Sequence, residues 1–376
     1  MTDDFRTRYR MLRDRYRYEL LLILPTIALV GFGLIMIYSA SFPIALKKGL
    51  PETAFVLKQL VFLMIGFLFL LVAYKTPTEL SPKVMYTLLG VAVLMLVAVK
   101  FTPLGFAAGG AKRWFRFGPL SFQPSEFARV ALVMFLAFSL SRKAERIQEF
   151  WIGFAPHVML MAVFAVLIVI EPDFGSTVIL IAIVWGMLFF AGVKPMHLVP
   201  PGVIGAILAI PYLISKDYRL QRLYAYLDPW AYASSWGYQP IHSQMAFGTG
   251  GLTGTGLGES ILKQYYLPEP HTDFIVSIIG EEFGFVGVAA VVLCYLVILL
   301  TGIAIAIRAN SLRASLLATG LVLSLSIQIF FNLGVALCLL PTKGLPLPLL
   351  SYGGSSLIFS LISIGLLMSI ARETTR

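Results

Sequence analysis

Long apolar runs dictate what this chain can become. A helix that crosses a bilayer needs about 20 mostly apolar residues, and runs of that order recur from residue 20 to residue 371. We delimit ten, at about 20–40, 56–74, 84–101, 124–141, 156–170, 175–193, 197–214, 274–307, 314–338 and 354–371. Composition agrees: 58% of the residues are hydrophobic and 13% charged, with a mean hydropathy of +0.86, far from a soluble domain. The expected fold is an all-α polytopic membrane protein with ten transmembrane helices, one long extracytoplasmic loop and a re-entrant Pro/Gly-rich outer segment. The fourth and fifth runs are short. The eighth is too long for one perpendicular span and is expected to tilt or to extend past the bilayer.

Charge sets the expected orientation. Arg6, Arg8, Arg10, Arg13, Arg15 and Arg17 precede the first run, which places the N-terminus in the cytoplasm. That run is longer than a signal-peptide core and is followed by further spans, so it reads as an uncleaved first helix. An even number of spans puts both termini on the cytoplasmic side. The chain divides into a basic N-terminus (1–19), one transmembrane domain (20–371) and a short C-terminus (372–376). Loops carrying Arg142, Lys143 and Arg146, then Lys194, then Arg308 and Arg313, also fall inside.

The remaining positive charge concentrates outside, at Lys112-Arg113-Arg116 with Arg129 just beyond, at Lys216-Arg219-Arg222, and at Lys343. Positive charge kept on the outer face needs a reason, and an anionic ligand is one. In a membrane protein the net charge of +10 points to anionic headgroups or an anionic lipid substrate rather than to nucleic acid.

Several function classes are excluded. Cys294 and Cys338 both lie in apolar runs and suggest neither a disulfide framework nor a metal site. His157, His197, His242 and His271 show no metal-ligand spacing. There is no P-loop and no dinucleotide glycine pattern. The long loop at about 215–273 contains Gly248-Thr-Gly-Gly-Leu-Thr-Gly-Thr-Gly-Leu-Gly258. Glycine this dense allows close backbone approach, and the flanking aromatic residues favour an ordered loop over a mobile linker.

Four constellations carry candidate chemistry. Asp273 closes the long loop within Tyr266-Leu-Pro-Glu-Pro-His-Thr-Asp-Phe274, at a water–membrane boundary, with Glu269, His271, Thr272, Glu281 and Glu282 nearby. An ionisable residue there is a functional candidate, although His-Thr-Asp before an apolar run is also good helix-capping chemistry. Glu126 and Arg129 lie at i and i+3 behind Pro124, either as a self-neutralising pair or as a polar group facing a cavity. Beside them, Lys112, Arg113 and Arg116 with Trp114 suit phosphate binding and sugar stacking, or equally an interfacial headgroup belt. The two carboxylates of Glu171-Pro-Asp-Phe-Gly175 could bind a cation, pair with the arginines or only hydrate the turn, and the turn reading is the default.

The fourth constellation, Asn332 to Ser356, stays apolar, yet Pro341, Pro346 and Pro348 forbid a regular helix. Such backbone is tolerated at membrane depth only when buried in protein or lining a wet cavity. It reads as a re-entrant segment presenting Lys343, or else as an ordinary outer loop. All four constellations fall on the outer side under one topology. The residues by themselves therefore point to one outer-leaflet site for something anionic and lipid-attached.

These residues carry a resemblance. Lys112-Arg-Trp, Phe122-Gln-Pro-Ser-Glu126, Pro172-Asp-Phe-Gly-Ser176, Leu267-Pro-Glu, His271-Thr-Asp-Phe274, Gly280-Glu-Glu, Pro341-Thr-Lys-Gly and Ser351-Tyr-Gly-Gly-Ser-Ser356 resemble the motifs of the SEDS family (shape, elongation, division and sporulation) of bacterial cell-wall polymerases. The similarity runs from about residue 20 to 371. Leu227-Asp-Pro-Trp230, Gly237-Tyr-Gln239 and Leu340-Pro-Thr-Lys-Gly344 resemble its division-type rather than its elongation-type members.

The resemblance implies ten transmembrane helices and peptidoglycan glycosyltransferase activity on lipid II, with undecaprenyl-pyrophosphate-linked glycan as donor, at the outer face of the bacterial cytoplasmic membrane. It implies Asp273 as the essential catalytic residue. Glu126, Arg129, Trp114, Lys112, Arg113, Lys343, His271 and Ser355 are the candidate substrate-binding residues. A divalent cation, Mg or Mn, is a further candidate at the leaving pyrophosphate. A class B penicillin-binding protein transpeptidase and divisome regulatory membrane proteins are the implied partners. Arg129 stands where a lysine is commoner, Cys338 where glycine is usual and His242 where glutamine is usual. The rival expectation is a transporter that flips lipid II, which would need polar residues continuing to the cytoplasmic end.

Overall fold

The computed structural model of the protein describes residues 2–108, 110–118, 120–214, 217–264 and 266–374, without the side chains of residues 2–15, 108 and several between 206 and 219. The expectations resting on Lys216, and on the side chains of Arg6, Arg8, Arg10, Arg13, Arg15 and Arg219, lie outside the described residues. Twelve helices follow one another: α1 (Thr2–Lys47), α2 (Ala54–Lys75), α3 (Pro82–Phe101), α4 (Pro124–Arg142), α5 (Ala155–Ile170), α6 (Phe174–Phe190), α7 (Pro195–Ile214), α8 (Asp217–Leu227), α9 (Tyr238–Gly250), α10 (Ile275–Arg308), α11 (Leu312–Ala336) and α12 (Gly354–Thr374). Each of the ten apolar runs overlaps one of them. Eight helices among the described residues are long and apolar enough to cross a membrane; α6, Phe174–Phe190, is shorter. The fifth run gains a π-helical turn, Phe150–Phe154, at its start. The apolar stretch there becomes 21 residues, Phe150–Ile170, rather than short.

Burial orders the bundle. In α12, 94% of the apolar window is buried, against 22% in α2 and in α3. The helix apolar on all sides therefore sits at the centre, and those exposing Leu94 and Met64 lie at the edge. With no hydrophobic drive between helices in lipid, close approach does the work. A Cβ on Gly365 of α12 would meet the Leu70 carbonyl oxygen of α2 at 2.5 Å.

Helix α3 is followed by a small antiparallel sheet in the order β1 (Gly105–Ala108), β2 (Ala111–Phe117), β3 (Leu120–Phe122). Phe115 pairs with Gly105 on one side and with Phe122 on the other. This sheet, the 171–174 turn, the 258–274 segment and the 337–353 segment all meet at one end of the bundle, called here the sheet end.

The eighth run is not one tilted helix. Gly284 has φ +63° and ψ −159° inside α10, and the glycine-rich segment repairs the break. Thr255 N–H donates to the Glu281 carbonyl at 2.9 Å and Gly256 N–H to that of Glu282 at 3.0 Å. In return Phe285 N–H reaches the Gly251 carbonyl at 2.9 Å and Val286 N–H that of Leu252 at 3.1 Å. The loop thus takes over the bonds that the helix gives up, as buried backbone groups require, and it is ordered. A Cβ on Gly284 would meet Gly254 N at 2.5 Å in a left-handed backbone. Gly284→Ala is expected to destabilise the fold by about 3 kcal/mol, combining strain and overpacking. The check is the thermal unfolding midpoint in detergent, which an innocuous glycine would leave unchanged.

Candidate functional site

The turn before α10 positions Asp273. Thr272 N–H and Asp273 N–H both donate to the Glu269 carbonyl, at 3.2 and 3.3 Å, which folds residues 269–273 into a tight turn. The N-cap of α10 is Phe274, with no side-chain cap bond. Asp273 therefore does not cap the helix. Its carboxylate instead faces the backbone of Gly344, where a Cβ would stand 2.8 Å from Asp273 Oδ2. Burial first, then the charge of Glu269, push its acid up to about 7, against the opposing hydrogen bond of Thr272 and the charge of Arg113.

A one-residue shift in strand pairing decides which basic residues approach. The β1–β2 register slips between Phe106 and Ala107, so that Trp114 pairs with Phe106, Lys112 with Ala107, and Arg113 bulges between them. Arg113 brings a guanidinium nitrogen 3.8 Å from Asp173 Oδ2. Lys112 lies beside Gly105, where a Cβ would meet its Cε at 2.8 Å, and its Nζ donates to the Thr102 carbonyl at 2.6 Å, fastening the sheet to the end of α3. Arg116 covers the Phe106 ring at 4.9 Å. The basic cluster is thus split: Arg113 joins Asp173, Lys112 turns to α3, and Trp114 and Arg116 lie by Phe106.

Asp173 takes up one of the readings open for its turn, pairing with an arginine, rather than the default one. It caps α6, accepting from Ser176 N–H at 3.0 Å and from the Ser176 hydroxyl at 2.7 Å, and it accepts from Gln123 Nε2 at 3.1 Å. Its Pro-Asp-Phe-Gly-Ser motif was visible, but a turn with a capping carboxylate looks the same whether or not an arginine approaches it. Neighbouring Glu171 is fully buried with neither carboxylate oxygen hydrogen-bonded. Burial and the charge of Asp173 push its acid up to about 8, so it carries a proton at neutral pH.

The 341–345 stretch lies against this turn. Lys343 Nζ sits 4.3 Å from the centre of the Phe174 ring, and Leu345 packs on Gly175. Burial pulls the Lys343 ammonium down to about 8, with Asp173 acting against that and Arg222 with it. The Asp173 turn thus takes Arg113 on one side and Lys343 on the other, and the next residue after Lys343, Gly344, lies against the Asp273 carboxylate.

The other expected residues take separate places. Glu126 and Arg129 form a buried, two-pronged ion pair on the first turns of α4, one arm at 3.2 Å and the other, Nη2 to Oε2, closer still. Arg129 Nε has no partner. Among the described residues no hydrogen bond or ion pair joins that pair to Asp273. Ser355 accepts from Gln123 N–H at 2.9 Å and donates to the Ser121 carbonyl at 3.4 Å, stapling the start of α12 to β3. The buried His271 packs edge-on against Phe55, 4.9 Å between ring centres, and beside Tyr352. Burial and then Lys48 hold its imidazole down at about 4, hence neutral. Among the described residues no group of three or more His, Cys, Asp or Glu could hold a metal ion. The described residues form no protein cage for Mg or Mn.

Glu281 and Glu282 serve the loop. Glu281 accepts from Ile261 N–H at 2.9 Å and from the Ser260 hydroxyl. Glu282 pairs with Lys263 at 2.7 Å and accepts from Ser39 of α1 at 2.6 Å. Lys263, which the sequence did not single out, is buried at 5% exposure. Lys263→Met would leave a buried carboxylate unpaired and is expected to cost about 3–5 kcal/mol. Adding Glu282→Gln should recover part of that loss. Unfolding midpoints of the single and double variants check this.

The architecture so assembled is that of a multi-pass helical membrane protein with its buried carboxylates gathered at one end. The model of the cell cycle protein family of FtsW, RodA and SpoVE matches residues 19–376, and this chain belongs to that family. Among its relatives, the probable peptidoglycan glycosyltransferase FtsW of Geobacter metallireducens is 39% identical, covering 96% of each chain. The protein of the same description from Legionella pneumophila is 38% identical, over 95% of this chain and 91% of that one. Among solved structures, a chain of a peptidoglycan synthase complex, described for its coordination of polymerization and crosslinking, superposes with a TM-score of 0.75 at 29% identity, covering 94% of this chain and 97% of that one. The rod shape determining protein RodA of Thermus thermophilus superposes at 0.71 with 28% identity, covering 95% and 97%.

Proposed function

We propose that this protein is a peptidoglycan glycosyltransferase that polymerises lipid II into glycan strands during cell division, with Asp273 as its general base. The observation that carries the reading is Asp273 itself: free of a capping role, pushed up to about 7 by burial and Glu269 with Arg113 acting against that, and set against Gly344, the neighbour of Lys343. The names of the FtsW relatives support the reaction and its setting in division. Membership of the FtsW, RodA and SpoVE family supports ten membrane spans, a site facing outward from the cytoplasmic membrane and both termini inside. The synthase complex supports a class B transpeptidase as partner; the divisome regulators rest on the division reading alone. Concentration of charge at the sheet end favours polymerisation over transport of lipid II.

In this mechanism Asp273 removes the proton from the 4-hydroxyl of the acceptor sugar. That oxygen bonds to the anomeric carbon of the donor glycan, and the bond from that carbon to the lipid pyrophosphate breaks. The leaving group departs as an anion and needs charge neutralisation rather than a proton. Lys343 and Arg113 supply it from a site already desolvated. One carboxylate then suffices where a glycosidase uses two. Glu126 with Arg129, and Trp114, bind more distant parts of the substrate.

Asp273→Asn is expected to abolish glycan synthesis from lipid II by the purified protein with its transpeptidase partner, while the unfolding midpoint is kept. Long strands from that variant would remove Asp273 from the chemistry. Lys343→Met is expected to lower turnover about 100-fold, with Lys343→Arg retaining part of the rate. Equal rates for both Lys343 variants and the wild type would exclude a role for that charge.

A further inference from the structure

Asn332, on α11, is 1% exposed and bridges two segments far apart in sequence. Its Nδ2 donates to the main-chain carbonyl of Asp273 at 3.0 Å and to that of Leu345 at 2.7 Å. Two carbonyl acceptors fix which way the amide points, because the reverse orientation would set its oxygen against both. Its Oδ1 is left buried without a partner. A leucine would fill similar space but leave the Asp273 and Leu345 carbonyls without this donor.

We infer that Asn332 is the positioning residue of the site: one amide group sets the Asp273 turn and the Lys343–Leu345 stretch at a fixed separation. The inference rests on the reading of Asp273 as the base. The argument is geometric. The 337–353 segment carries Pro341, Pro346 and Pro348 and has no helical ladder to hold its register. The Asp273 turn is likewise held within itself by short-range bonds from Thr272 and Asp273 to the Glu269 carbonyl. Each segment could shift alone. Gly344 lies against the Asp273 carboxylate with no room for a Cβ, so a small relative shift alters the carboxylate's contacts directly. The bridge from Asn332 is anchored in a continuous helix and touches both segments within one residue of the contact that matters. Tyr352 N–H, donating to the His271 carbonyl at 2.9 Å, makes a second tie two residues before Asp273.

The test compares wild type, Asn332→Leu, Gly344→Ala and the double variant, each as full chain with its transpeptidase partner and lipid II as probe. Asn332→Leu is expected to lower kcat about 100-fold, the scale of a 1 Å misplacement, with KM for lipid II changed by less than about threefold. Gly344→Ala moves the same carboxylate, so the double variant should fall little below the worse single variant. Should Asn332→Leu fail to fold, Asn332→Ser keeps one donor and should show the same kcat loss in smaller measure. A well-folded Asn332→Leu protein with wild-type kcat, or multiplicative losses in the double variant, would overturn the inference. If Asp273→Asn proves active, the base assignment fails first, and these kinetic splits would tell the two failures apart.

Discussion

Everything at the sheet end depends on satisfying a stretch of backbone that cannot be helical. Residues 337–353 stay apolar but carry three prolines, so their carbonyls and amides have no ladder of their own. In a low-dielectric setting each unpaired group costs several kcal/mol. The bundle answers with side chains. Asn332 serves the Leu345 carbonyl, Tyr295 that of Pro348, Gln59 that of Ser351 and Tyr226 that of Leu339. These donors come from α11, α10, α2 and α8, so the segment is the point where four helices are tied together. It presents Lys343 because the backbone there is free of helical geometry.

The same logic governs the break in α10. A helix interrupted at Gly284 exposes two carbonyls and two amides, and residues 251–256 meet all four. The buried Lys263–Glu282–Ser39 cluster then pins the following stretch to α1. The long loop is thereby a fixed arm ending at Asp273, not a tether. Charge is treated consistently across the site. Glu171 and His271 are neutral because burial makes their ions too costly. Asp173 and Arg113 stay close enough to share their charge, and Asp273 is left titrating near neutrality. A carboxylate raised that far can take a proton from a hydroxyl and still be ionised at working pH.

Much of this was legible in the sequence. The apolar runs located the helices, and prolines in an apolar setting marked the 341–348 segment as irregular. Asp273 stood out as a charge at the start of a span. What the sequence hid was long-range pairing. The helix break at Gly284 needs acceptors and donors roughly 30 residues earlier, which no local pattern announces. The bulge at Arg113 in the short sheet sends Lys112, Arg113 and Trp114 to different neighbours, and only strand pairing reveals that. Asp173 reads locally as part of a turn; that it caps α6 and lies close to Arg113 comes from the fold. Cys338, which replaces a usual glycine, sits at φ +59°, a conformation that explains the glycine but not the cysteine.

The central claim is that Asp273 works as a base tuned by its surroundings, principally burial and Glu269, with Thr272 and Arg113 opposing. The most direct measurement is the pH dependence of kcat/KM for lipid II polymerisation by the full chain with its transpeptidase partner. A base must be ionised, so the rate should be full above the raised value and fall as pH drops through about 7, approaching tenfold per pH unit. A rate that stays level from pH 7 down to about pH 5, where an ordinary aspartate is still ionised, would contradict the account.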